Sequence, residues 1–421
     1  MDARRTVEAL MSGKDRPFGV KLWDGSLVPP APAASVPVLV LENEHAAAAF
    51  GIPPTEERLA EAFLAGDIDV EGDLVEFVER ASGWSGPEAL PPGAVAAGLV
   101  AEVGARAGEL LRSATRHTIA RDDAAIRHHY DVGNDFYRLF LDEQLVYSCA
   151  YWVPGADRLE LAQLAKLELI CRKLDLQPGQ RFLDVGCGWG ALISHAVRAH
   201  GVRSTGITLS DAQLDVARER MRAVLPAGAP ADVRHQDYRQ LPAGEQWDAI
   251  ASVGMMEHVG RDHLDRYFSE LTEHLAPGGL LLNHAIAETG DGRRTVPWLQ
   301  RSHGGFIQQE IFPDSDLPPL DLVLGAAQRA GLEVLDVETM RPHYARTLIE
   351  WLGRLERRFP EAVQLAGKRR ARAWRLYLAS SAVTFRTGRI TVAQVLLQKR
   401  EGGRPRMLDR LGWVRDLLPR S

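Results

Sequence analysis

The stretch Phe182-Leu-Asp-Val-Gly-Cys-Gly-Trp-Gly190 decides the fold. An apolar run able to form a buried strand ends in three glycines at alternate positions, Gly186, Gly188 and Gly190, and a helical pattern follows from Leu192 to Ala199. Glycine at such a strand-to-helix turn lets a nucleotide-like ligand approach the backbone amides. A dinucleotide-binding loop carries its third glycine one position later and sets a phosphate on the helix N-terminus. Here acidic Asp184 precedes the turn. That favours adenosylmethionine, which has no phosphate and whose ammonium and sulfonium prefer carboxylate and carbonyl partners. Tight turns use glycine too, so the loop needs support from the rest of the chain.

Outward from the loop, short apolar runs alternate with helical stretches in the order of a parallel sheet with crossover helices. Strands are expected at Arg181–Val185, Ser204–Thr208, Asp232–His235, Trp247–Val253 and Gly279–His284, and further helices at Asp211–Val224 and Arg261–His274. The fold class is therefore α/β, a Rossmann-like doubly wound sheet of the class I adenosylmethionine-dependent methyltransferase kind. After the third strand, Gln236, Asp237 and Tyr238 stand where such enzymes hold the adenine, with Asp237 as acceptor for its amino group or, more plainly, as a turn cap. After the second strand the usual ribose carboxylate is missing. Thr208, Leu209 and Gln213 are left to do that work, with Asp211 read as the cap of the next helix.

Residues 1–93 are expected to form a smaller α+β accessory domain and its linker. It has a strand at Val36–Leu41, which Pro37 would confine to a sheet edge, and a helix at Glu56–Phe63. Breaker-rich Ser82–Pro87 and Pro91–Gly93 lead out of it. Residues 94–421 then form the catalytic domain, entered through a helical pattern at Ala94–His129 with Arg106, Arg112, Arg116, His117 and Arg121 on one side, and ending in a helical lid and a basic segment.

At 421 residues and 45% hydrophobic, the chain can fill two cores. No run reaches the roughly eighteen apolar residues of a bilayer span, and the N-terminus lacks a signal peptide's apolar stretch, so the expected location is the cytosol. Cys149, Cys171 and Cys187 show no metal-ligand spacing, which reads as free thiols and no metal. The net charge of -6 hides an asymmetry: from Lys368 onward fourteen Lys and Arg face three acidic residues. That segment is either a solvated helix face or a contact for an anionic surface, phospholipid or nucleic acid.

Seven segments then become specific as a set: His129–Tyr137, Tyr147–Trp152, Leu183–Gly190, Gly206–Ser210, Gly254–Gly260, His284–Ile286, and Tyr344 before Thr347–Trp351. In this order they resemble the cyclopropane fatty acid synthase family, which includes the mycolic acid cyclopropane synthases. The resemblance also accounts for the missing ribose carboxylate, since that family has Thr-Leu-Ser there. It implies transfer of a methylene carbon from adenosylmethionine to the double bond of an unsaturated phospholipid acyl chain, through a carbocation whose proton is removed by bound bicarbonate. On the same resemblance Cys149, Glu257, His284, Ile286 and Tyr344 hold the bicarbonate, Ile286 through its backbone amide. Glu257 would take up its proton while His284 and Tyr344 donate hydrogen bonds. Tyr147 and Ser148 join the cofactor residues. Taken singly, Cys149 could be a small buried hydrophobe, Glu257 and His258 a helix start, and His284 a satisfied core histidine.

Tyr130, Phe136, Tyr137, Tyr147, Tyr151 and Trp152 are either core or the wall of an acyl tunnel whose π faces would stabilise the cation. A relative that loses a different proton would make a methylene- or methyl-branched product instead. More than 100 residues precede His129, as in the phospholipid-acting members, and Ala65–Leu74 resembles a segment of the longer ones. The expected partners are therefore the acyl chain and an anionic membrane surface met peripherally from the cytoplasm through Arg369, Arg370, Arg372 and Arg375, not nucleic acid. A homodimer is an assembly open to it.

Overall fold

The computed structural model describes residues 3–11, 16–28, 36–50, 56–84, 133–289, 311, 316–402 and 406–418. The helical pattern expected over 94–129, and Tyr130, lie outside them. The chain separates into two compact units. The smaller takes its described residues from the N-terminal part and from Leu355–Thr387, so the division expected at residue 93 is incomplete. Its sheet joins β1 (Gly19–Lys21), β2 (Val38–Leu41) and β3 (Ile68–Glu71) in that order. β2 is central, not at an edge, because Pro37 lies one residue before the paired stretch and only its carbonyl is used, accepting from the Gly19 amide at 2.9 Å.

The helix Lys368–Arg386 belongs to this same unit because its arginines are consumed within it. Arg369 pairs with Glu61 at 2.7 Å. Arg372, 4% exposed, pairs with Asp69 at 2.7 Å, donates to the Phe63 and Ile68 carbonyls and stacks over the Phe63 ring. Arg375 pairs with Glu356 at 3.1 Å. Three of the four arginines expected to face a membrane therefore make internal ion pairs. A charge count along the chain cannot see the acidic partners that folding brings from some 300 residues away.

The larger unit holds β4 (Arg181–Val185), β5 (Arg203–Thr208), β6 (Ala231–His235), β7 (Trp247–Val253), β8 (Leu275–Glu288), β9 (Leu332–Thr339) and β10 (Ile390–Lys399) in the order β6-β5-β4-β7-β8-β10-β9. The first five run parallel, and β10 is antiparallel to both neighbours. Alternate side chains enter opposite cores: Leu183, Ile250 and Leu281 pack with Tyr267, Phe268 and Leu271, while Phe182, Ala249, Leu280 and Leu282 pack with Leu167, Ile170 and Ala196. A sheet buried on both faces explains the near-continuous apolar strands. Strand order reverses beside β4, with β5 and β6 on one side and β7 on the other. Such a switch point opens a crevice beyond the strands' carboxyl ends.

Candidate active site

β4 delivers the glycine loop to that crevice, and the three glycines turn out to serve three different needs. All have positive φ, +79°, +54° and +79°. A Cβ on Gly186 would lie 3.1 Å from Met255 Cγ, and one on Gly190 would lie 3.1 Å from Ala217 Cβ on the next helix. A Cβ on Gly188 would meet no protein atom within 4 Å, and Gly188 lines the cleft. Gly186 and Gly188 both line the cleft, Gly188 with open space where a side chain would stand; Gly190, expected at the cofactor, packs helix against helix. The amides of Gly186 and Cys187 both donate to the Ile207 carbonyl at 3.0 Å, which fixes the loop against β5.

The other expected cofactor residues gather on the same cleft. Thr208 donates to Gln213 Oε1 at 2.9 Å, leaving the Gln213 amide nitrogen for a ligand. Ser210, not Asp211, caps the following helix, its hydroxyl accepting from the Gln213 amide. The Leu209 carbonyl accepts from His235, and the Gln236 side chain donates to the Gln240 carbonyl. Asp237 is both things the sequence left open: it lines the cleft beside Tyr238 and it caps a short 3-10 turn, its carboxylate also paired with Arg239 at 2.7 Å.

Two residues missed in the sequence govern this cleft. Gln163 donates to the Val146 and Ser148 carbonyls at 3.1 and 2.9 Å, holding Tyr147 and Ser148 in place, and Lys166 donates to the Ser148 hydroxyl at 2.9 Å. Both lie on the helix Leu159–Lys173, whose hydrophobic pattern gives no hint of a ligand. Burial lowers Lys166 to about 8 against the pull of Asp142, Cys149 and Asp184. Burial likewise raises Asp184 to about 7, with Lys166 opposing. A carboxyl and an ammonium thus face one cleft, each strained by desolvation, and a ligand carrying both charges relieves both. Adenosylmethionine fits: its cationic part suits Asp184 and its carboxylate Lys166.

One strand over stand the remaining candidates. Val253 pairs with His284, and the amide of cleft-lining Gly254 donates to the His284 carbonyl at 2.8 Å. Glu257 Oε1 accepts from the Ile286 amide at 2.8 Å. That amide, expected to hold the anion, is therefore already engaged by the neighbouring carboxylate. Glu257 Oε2 and His284 Nε2 are buried without a hydrogen-bond partner among the described residues. Gln394, a residue of β10 that sequence reasoning missed, donates its amide to His284 Nδ1 at 3.2 Å, so the imidazole proton sits on Nε2. Burial pulls His284 down to about 3, with Lys166 and Lys173 adding to the effect, and pushes Glu257 up to about 7. Cys149 Sγ donates to the Ala150 carbonyl and reaches toward that of Met340, whose amide joins Val392 opposite Ile286; burial holds the thiol well above its ordinary range. Tyr344 is buried four residues on, its amide donating to the Met340 carbonyl.

The aromatics divide. Phe136, Tyr137 and Tyr147 form a continuous ring cluster with Phe140, Trp189 and Trp351. Tyr151 instead stacks on His343 and donates to Glu338, and Trp152 donates to the His343 carbonyl and Thr347, so these two anchor the helix Arg341–Arg357.

Comparison with known proteins shows the family. The sequence model of a family described as mycolic acid cyclopropane synthetase matches residues 117–395. A probable fatty acid methyltransferase of Pseudomonas putida is 38% identical over 391 residues, 91% of this chain and 92% of its own. The cyclopropane-fatty-acyl-phospholipid synthase of Escherichia coli K12 is 36% identical over 65% of this chain and 67% of its own. The mycolic acid cyclopropane synthase CmaA1, solved in complex with SAH and CTAB, superposes with a TM-score of 0.61 at 34% identity, covering 66% of this chain and 98% of that one. The chain belongs to the mycolic acid cyclopropane synthetase family and is an adenosylmethionine-dependent methyltransferase acting on fatty-acyl chains.

Proposed function

We propose that this enzyme adds a methylene carbon to the double bond of an unsaturated phospholipid acyl chain and closes a cyclopropane ring. The observation carrying this reading is the pair of unpartnered buried atoms, Glu257 Oε2 and His284 Nε2, set beside a cleft that suits a cationic cofactor. Bound adenosylmethionine supplies an electrophilic methyl group. An alkene is a weak nucleophile, and its methylation leaves an electron-deficient carbon that closes the ring only when a proton leaves the new methyl group. A side-chain base beside a sulfonium is itself open to methylation, which favours a small bound base such as bicarbonate. His284 Nε2–H would donate to one of its oxygens and Glu257, near 7, would exchange a proton with it. Cys149 and Tyr344 border the same anion in this reading, and Ile286 acts by orienting Glu257.

A second reading has one specific support: the Pseudomonas putida relative, matched along nine tenths of both chains, is described as a fatty acid methyltransferase. With the same cofactor and cation, loss of a different proton gives a methylene or methyl branch. We propose further that the enzyme meets anionic lipid peripherally, from the cytoplasmic side. No helix among the described residues is long and apolar enough to cross a membrane. Since Arg369, Arg372 and Arg375 are paired internally, other basic side chains must supply that contact. Vesicles of one defined unsaturated phospholipid with labelled adenosylmethionine test both readings. Ring protons in the NMR spectrum of the released acyl chains support the first, exomethylene or branch-methyl protons the second, and no label in lipid overturns both.

A further inference from the structure

We propose that Cys171, His195 and His200, together with Glu168, form a closed structural site for one zinc ion. Cys171 Sγ and the ligating nitrogens of His195 and His200 lie within 4.8 Å of one another. Glu168 Oε2 stands 2.9 Å from His195 Nε2 and 3.1 Å from His200 Nε2. Zinc–ligand bonds of about 2.0–2.1 Å to nitrogen and oxygen and about 2.3 Å to sulfur give tetrahedral edges of about 3.3 Å between N and O and about 3.6 Å between N and S. The two carboxylate edges are already near that length, and Cys171 Sγ stands within 4.8 Å of the ligating imidazole nitrogens. Glu168 and Cys171, three apart, share a face of the helix Leu159–Lys173, while His195 and His200 come from the helix Ala191–His200 packed against it.

Thiolate, imidazole and carboxylate in one tetrahedral set select zinc over the hard, oxygen-seeking cations. In the plainer account the carboxylate accepts from two imidazoles and the Cys171 thiol packs with Leu167, Ile170 and Leu174; the thiol's place beside both imidazoles is what favours an ion. Arg172 holds the other carboxylate oxygen, Oε1, at 2.7 Å and leaves Oε2 to the ion. The histidine and glutamate side chains keep 15–17% exposure, which gives an ion a way in, while Cys171 is fully buried. Two anionic ligands neutralise the ion. Four protein donors leave no open position, so the ion would pin the helix bearing Gln163 and Lys166 to the helix that starts at Gly190, and would take no part in the chemistry.

The test uses the full chain, stripped with a chelator and dialysed against zinc alone. Elemental analysis should find one zinc per chain, and zinc should raise the Tm. Cobalt(II) in its place should give the strong d–d absorption of a tetrahedral site with a thiolate-to-metal charge-transfer band that Cys171→Ser removes. The pair His195→Gln and His200→Gln keeps amide donors for Glu168, so the variant should fold by circular dichroism while zinc affinity falls at least about a hundredfold. Retention of less than roughly a tenth of an equivalent at tens of micromolar zinc, unchanged loading in the folded double variant, or a cobalt spectrum without the charge-transfer band would each overturn the proposal.

Discussion

The cofactor cleft and the group around Glu257 and His284 meet through one hydrogen bond, from the Gly254 amide to the His284 carbonyl, yet they are built in opposite ways. The cleft draws its groups from the turns after β4, β5, β6 and β7, from residues 145–148 and from the helix Leu159–Lys173, and it sets a carboxyl and an ammonium, Asp184 and Lys166, against each other. The Glu257 and His284 group collects one residue each from scattered segments, and its imidazole is neutral at any ordinary working pH. One region is arranged for charge complementarity to a zwitterionic ligand. The other is arranged to hold and move a proton. Affinity and turnover should therefore come apart under mutation.

The largest effect is expected at Gly188. An aspartate there meets two obstacles, a φ of +54° that side chains rarely adopt and a position on the cleft where only backbone now stands. Adenosylmethionine binding should be lost, beyond about a thousandfold, in a chain that remains folded. Calorimetric titration checks this, and unchanged affinity would mean that the loop does not contact the cofactor.

The Glu257 and His284 group should respond differently. Glu257→Ala and His284→Ala are expected to lower kcat by about a hundred- to ten-thousandfold while cofactor affinity stays within a few-fold of wild type. Gln394→Ala should give a smaller loss, because the imidazole keeps its place and loses only the partner that fixes its tautomer. Equal losses of affinity and turnover in the Glu257 and His284 variants would merge the two regions into one.

The same contrast decides what was legible in the sequence. β4, β7 and the glycine loop were readable because their signals are contiguous: Arg181–Val185, Trp247–Val253 and Asp211–Val224 come out with the expected bounds. Glu257 and His284 were picked out by the family resemblance, but the Glu257 bond to the Ile286 amide was not foreseeable, since nothing local couples residues 29 apart. β9 and β10 were missed altogether; for β10 the charge count drew attention to the basic residues around it and away from the mostly apolar stretch Val392–Leu397. Gln394 and Lys166 were invisible for a related reason: each is a polar residue buried in an element, β10 or the helix Leu159–Lys173, that the sequence reading did not single out. Cys171 looked isolated because its neighbours are histidines from the next helix, not other cysteines.

A third expectation concerns stability. Asp184 and Glu257 each carry a folded-state pKa near 7, raised by burial above ordinary values of 3.8 and 4.5. Between those limits the folded chain binds more protons than the unfolded one, so stability falls as pH rises. The two raised groups contribute their full stabilisation below about pH 4 and lose it progressively up to about 7, by an amount on the order of a few kcal/mol each. Urea unfolding at pH 5.5 and 7.5 should show the drop, and Glu257→Gln or Asp184→Asn should each flatten it. A slope identical in wild type and both variants would show that neither carboxyl titrates in the folded protein.

The smallest effect is also the most discriminating between the two regions. A cationic ligand beside Asp184 favours its carboxylate, so cofactor binding should release protons below about pH 7, where the free enzyme holds Asp184 partly protonated. Lys166 has the opposite tendency. Its ammonium is held down to about 8 by burial, and a ligand carboxylate beside it favours protonation, so binding should take up protons above pH 8. Calorimetry in buffers of different ionisation enthalpy counts these protons directly. The count should be up to one released near pH 6, pass through zero between 7 and 8, and turn to uptake above. Affinity should rise with pH by at most about tenfold per unit on the acid side and level off near 7. Asp184→Asn should remove the acid limb, whereas Glu257→Gln should leave the count unchanged, because its proton belongs to the other region. A proton count that follows Glu257 instead of Asp184 would mean that the cofactor's charge is felt at Glu257 and that the division between the two regions is wrong.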